Sequence, residues 1–186
     1  MRTLKKIKLG TFEVTQPELI ISDPCYAPGT WCMGTIPNAQ PGIWEAEIGF
    51  SHEGKCDAAV AYLAAFHQQC PSKGQLIAQE ELFEGGVDSR QAGVFDKPFY
   101  RAGAGAGQTP TEDALEAWYA CCCDQTLCYQ AGTIPHGVVS SSGYGDGVYV
   151  CYSYHLPRTQ GEDITWGVMI NFDVVRLPQI KRLLLQ

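Results

Sequence analysis

Four aspartates stand where predicted strands end. Asp23 lies in Ser22-Asp-Pro-Cys-Tyr26. Asp88 and Asp96 flank Gln91 in Val87-Asp-Ser-Arg-Gln-Ala-Gly-Val-Phe-Asp96. Asp146 lies in Ser140-Ser-Ser-Gly-Tyr-Gly-Asp-Gly-Val-Tyr149. Carboxylates gathered at strand ends can hold a hard cation or divide the work of acid and base. Aspartates in Asp-Pro and Asp-Gly turns more often serve the backbone by accepting amide hydrogen bonds. The candidate ligand-binding set is Asp23, Cys25, Asp88, Gln91, Asp96, Tyr144, Asp146 and Tyr149. No residue is assigned a catalytic role, no metal ligand is assigned, and no cofactor is named by the sequence. The Asp-Gly turn lacks the alternating oxygen donors and closing glutamate of a calcium-binding helix-loop-helix.

Nine cysteines are the other reactive groups. Cys121-Cys122-Cys123 falls in a predicted helix, where successive side chains point roughly 100° apart. Three such sulfurs cannot aim at one metal. No Cys-x-x-Cys pair occurs, so a zinc knuckle has no support, and the triplet reads as small core residues. Cys25 as a nucleophile would need a histidine base beside it. His52, His67, His136 and His155 are the choices, and His136 is the first to test. There is no Gly-x-Ser-x-Gly elbow and no His-Glu-x-x-His helix. The glycines of 101–107 lack the Gly-Lys-Ser/Thr of a phosphate loop.

Charge narrows the partners. The net charge is -7, but residues 1–10 and 176–186 hold seven of the 13 bases and no acid. The body between them carries a net charge of -14. An acidic body disfavours nucleic acid, whose phosphates need cation clusters. The start is too polar for a signal peptide, and no run approaches the ~18 apolar residues of a membrane span. An odd cysteine count without an export signal points to reduced thiols and a cytoplasmic location.

The elements that must position these residues are mostly strands. Residues 4–14 form a strand whose phase slips at Gly10, a bulge or turn signal. Leu19–Ile21 is a short strand, and the proline-bearing stretch 24–42 reads as a long loop. Ile43–Phe50 places Trp44, Ala46, Ile48 and Phe50 on one face and Glu45 and Glu47 on the other. Residues 58–66 alternate like a strand, although their alanines would also suit a helix, and 75–83 and 92–95 are further strands. Thr109-Pro-Thr-Glu112 reads as a capping box with Thr109 as N-cap, and Gly132 as the stop, bounding the one main helix. Its apolar face is Leu115, Trp118, Tyr119, Cys122 and Tyr129. Residues 137–142 and 148–154 flank a glycine turn with hairpin chemistry. Tyrosines on both faces of 148–154 suggest a strand covered on both sides, or one whose second face lines a groove. Ile164–Phe172 is the closing strand, with Thr165, Asn171 and Asp173 on its polar face, and Pro178 begins a short packed tail. The fold class is α+β: mainly antiparallel β-sheet (meander, sandwich or open barrel) with one main inserted helix. At 186 residues it is a single domain, 1–186.

The chain resembles the bacterial domain-of-unknown-function family 4241. The resemblance rests on Ser22-Asp23-Pro24, Gly42-x-Trp44, Val87-Asp88-Ser89 with Gln91-Ala-Gly-Val-Phe-Asp96, and Ser142-Gly-Tyr-Gly-Asp-Gly-x-Tyr149. It covers about residues 10–173. Arg90 departs from the pattern, where a small residue is expected. The resemblance implies a β-rich soluble protein of bacteria or their phages, with no established activity and no catalytic residue to carry over.

These features point to a binding protein that recognises a protein or small ligand through a strand-end face. Its acidic body suits an immunity-like or anti-defence role. The alternatives are a metal-dependent hydrolase using Asp23, Asp88, Asp96 and Asp146, and a structural subunit of a larger particle.

Overall fold

Apolar residues alternate with period two along most of this chain, and each strand therefore has a face to bury. The computed structural model describes residues 4–51, 59–78, 83–101, 110–157, 163–173 and 177–184. It resolves the buried faces into two open, antiparallel sheets packed face to face. Of the three β arrangements considered, the sandwich is the one observed. Sheet A orders its strands β1 (Lys5–Val14), β4 (Gly42–Ser51), β5 (Ala59–His67), β12 (Thr165–Asn171) and β11 (Gly147–His155). The far side of β11 is shared by β6 (Ile77–Ala78) and β7 (Phe83–Val87). Sheet B runs β3 (Gly34–Pro37), β2 (Glu18–Ser22), β8 (Gln91–Asp96), β10 (Gly137–Ser141) and β9 (Ala131–Ile134).

The main core lies between the sheets. Leu19, Ile21, Val94 and Val138 of sheet B meet Trp44, Ile48, Leu63 and Ile170 of sheet A. Each outer face is covered by one helix. Helix α1 (Glu112–Tyr129) lies on sheet B, with Cys122 and Trp118 against Phe95, Tyr100 and Val139. Helix α2 (Leu177–Leu184) seals sheet A, with Ile180 and Leu184 against Tyr62, Tyr152 and Tyr154. This explains the two-sided β11: Tyr149 and Cys151 face the other sheet, and Tyr152 and Tyr154 face α2. No helix among the described residues is long and apolar enough to cross a membrane.

Several expectations need correction. The segments on either side of the glycine turn do not form a hairpin. β10 belongs to sheet B and β11 to sheet A, so residues 142–146 carry the chain from one sheet to the other. The stretch 24–42 is not all loop, because β3 pairs with β2 at the edge of sheet B. Of the strand expected over 75–83, Gln75 instead closes a 3-10 turn (Lys73–Gln75), residues 77–78 form β6, Phe83 opens β7, and 79–82 lie outside the described residues. Helix α1 begins later than its capping box suggests. Thr111 is the N-cap, accepting the Ala114 N–H, and Thr109 lies outside the described residues. The helix also stops earlier, at Gln130 in a left-handed conformation, and Gly132 sits within β9. Tyr129 is exposed rather than packed. Glu47 is buried, held by Lys6 at 3.1 Å and the Tyr62 hydroxyl at 3.4 Å. Thr165, Asn171 and Asp173 are buried too, because α2 and the loops cover the face that would otherwise be wet. The bulge at Gly10 is present as a register shift between Lys8 and Gly10.

Candidate functional site

Antiparallel pairing sorts the eight candidate residues into two groups. β8 spans Gln91–Asp96, about 17 Å of strand. Ser22 pairs with Gly93 while Leu19 pairs with Asp96, so Asp23 lies beyond the Gln91 end of β8. Ser141 pairs with Gln91, which brings the glycine turn to the same end. Asp23, Cys25, Asp88, Gln91, Tyr144, Asp146 and Tyr149 thus belong to one end of the sandwich. Asp96 is at the other.

Asp23 is fully buried and its oxygens are engaged. Oδ2 accepts the N–H groups of Asp88 and Ser89 at 2.9 and 2.7 Å. Oδ1 accepts the Cys25 N–H at 2.8 Å and the Ser89 hydroxyl at 2.6 Å. It clamps the turn after β2 to the turn between β7 and β8. Tyr100 and Arg101 support the clamp: the Tyr100 hydroxyl lies 2.8 Å from the Tyr26 carbonyl oxygen, and Arg101 Nη1 donates to the carbonyls of Pro24 and Cys25. Asp146 accepts the Arg90 N–H at 3.1 Å. The Tyr149 hydroxyl donates to the Gly145 carbonyl, and its ring meets Phe172 edge-on. Asp88 and Tyr144 are exposed. These aspartates brace turns. Among the described residues, no three His, Cys, Asp or Glu side chains are grouped to hold a metal.

Burial, with the Asp23 carboxylate beside it, pushes the Cys25 thiol up to about 12. Below that pH the sulfur keeps its proton, and the thiolate is the nucleophile. Cys25 is therefore expected to resist iodoacetamide at pH 8 although it is partly exposed, while exposed Cys128 is labelled. Peptide mass mapping after native alkylation checks this; fast labelling of Cys25 would contradict it. All eight described cysteines are free.

Between these braces a cleft of about 280 Å³ opens, walled by the second half of α1, the start of β8 and the glycine turn. Gln91 and Ser141 line its floor, and Cys123, Thr126 and Leu127 supply the helix wall. Gln91 is buried, its Nε2 donates to Cys123 Sγ at 3.5 Å, and its Oε1 has no donor among the described residues. Leu127 is 82% exposed at the rim. Arg90 also lines the cleft, with φ 61° in the left-handed region. No family model, curated protein or solved structure matches this chain.

The site therefore stands on its own geometry, and Arg90 is its most informative residue. At position 90 the backbone takes a left-handed conformation that favours glycine. Arginine there costs about 1 kcal/mol or more. Among the described residues no acceptor answers its guanidinium, and Asp146 holds only its backbone. Sequence reasoning missed the helix wall entirely, because Cys123, Thr126 and Leu127 lie more than thirty positions from Gln91. Arg90 could have been found from the sequence as a cation in a string otherwise suited to a tight turn.

Proposed function

We propose that this chain is a binding protein whose ligand or partner engages the cleft beside the glycine turn. The observation that carries the reading is Arg90, a cation that no described residue pairs, kept in a left-handed backbone conformation at the cleft. Strain of this kind persists where the surrounding structure over-determines it, and it concentrates at binding sites. An unanswered guanidinium favours a partner that presents a carboxylate or phosphate, which a planar fork can take in two hydrogen bonds. Exposed Leu127 supplies apolar contact at the rim.

The bracing roles of Asp23 and Asp146, and the distance to Asp96, leave the hydrolase reading without a carboxylate cluster. Kinship with family 4241 remains a proposal resting on the strings that suggested it.

Arg90→Gly tests the reading without threatening the fold. Glycine accepts φ 61° freely, so the variant is expected to be about 0.5–1 kcal/mol more stable in urea titrations. It should lose at least tenfold in affinity for whatever native mass spectrometry finds on the wild-type protein, while Arg90→Lys keeps a fraction. An Arg90→Gly variant that binds as wild type would sink the proposal.

A further inference from the structure

A second cleft, of about 400 Å³, lies at the opposite end of sheet B, between the first half of α1 and the turn from β9 to β10. Its walls are largely apolar: Ala114, Ala117 and Trp118 from α1, with Phe99 and Ile134 facing them. The ring of His136 also lines this cleft. Volume and lining are those of a small-molecule site with a polar anchor.

His136 is held firmly. Its ring stacks on Phe99 with centroids 3.7 Å apart and planes 9° from parallel. Its backbone takes φ 61°. Nδ1 lies 3.2 Å from the Glu13 carbonyl oxygen. A carbonyl can only accept, so Nδ1 carries a hydrogen, and in the neutral imidazole Nε2 is then the acceptor. No described residue donates to Nε2.

Asp96 stands behind the ring. Its carboxylate is fully buried, and Oδ2 lies 3.9 Å from His136 Nδ1. Oδ2 accepts the N–H and hydroxyl of Thr15, and Oδ1 has no donor among the described residues. A negative charge there strengthens Nε2 as an acceptor and repels an anion from the cleft. The matching ligand is therefore neutral, flat and apolar, with one good donor. We propose that this cleft binds an aromatic hydroxyl compound, its ring against Trp118 and its hydroxyl donated to His136 Nε2. The site is separate from the glycine-turn cleft and does not depend on it.

Phenol and toluene are a matched pair of probes, alike in shape and differing in the hydroxyl. Titrations of the whole protein and its variants, followed through the ¹H–¹⁵N signal of the Trp118 indole at the cleft wall, should show saturable phenol binding. Phenol should bind about 5- to 10-fold tighter than toluene, the worth of one partly buried hydrogen bond. His136→Asn tolerates the left-handed backbone and lacks Nε2, so the preference should vanish. Ala117→Leu, at an exposed helix position, fills the cleft and should abolish binding. Equal affinities for the two probes, no saturation by phenol, or undiminished phenol binding to Ala117→Leu would overturn the proposal.

Discussion

Asp23→Ala is expected to cost about 3–5 kcal/mol of stability, the largest effect of any single polar substitution in this chain. Alanine leaves the N–H groups of Cys25, Asp88 and Ser89 without the acceptor they share. The site is buried, so water replaces that acceptor poorly. Asp23→Asn is a sharper probe because its volume is unchanged. Its oxygen can serve one side of the clamp, but its NH2 must then face N–H donors on the other. It should fall between wild type and alanine, at a loss of about 2–4 kcal/mol. Urea denaturation of the three proteins measures the series. A loss below about 1 kcal/mol in the alanine variant would show that Asp23 is not the clamp. Because the 87–91 turn walls the cleft, the same variants should also weaken ligand binding.

Gly143→Ala is expected to be nearly as damaging, at about 2–4 kcal/mol. Gly143 has φ 63°, and an added Cβ would stand 2.3 Å from the Val60 carbonyl oxygen. Val60 belongs to β5, in the middle of sheet A, so this contact is backbone against backbone and has little freedom to give. Gly145→Ala provides the control. It also has a positive φ, 105°, but its nearest neighbour is the end of the Arg90 side chain at 3.6 Å. Backbone strain alone should cost it about 1–2 kcal/mol. Thermal melts of both variants separate strain from collision. Equal losses would mean that the crossing between the sheets is looser than the geometry requires.

The glycine turn also shows how far the chain could be read unaided. Gly143-Tyr-Gly-Asp-Gly147 was legible as a turn between two strands, because glycine and aspartate have local reasons to be there. Which sheet each strand joins is not local information. A hairpin and a crossing between sheets need the same residues in the turn, and only the pairing of β10 with β8 and of β11 with β12 separates them. Asp88 and Asp96 carry the same lesson. Their chemistry is alike, but Asp88 precedes β8 and Asp96 ends it, so the strand holds them at opposite ends of the sandwich.

By itself the sequence determined the β-rich α+β class, the bulge at Gly10, the two-sided burial of β11 and the single main helix. Each of these follows from periodicity or from the intrinsic preference of a residue, and both act over a few positions. The tertiary structure decided what lies opposite what: that Asp23 is a buried brace, that α1 walls a cleft whose floor is Gln91, and that His136 meets Asp96 and Glu13. Those partners are separated by tens to more than a hundred residues. Such contacts come from how two sheets stack and which faces the helices cover, and no short-range preference records that choice.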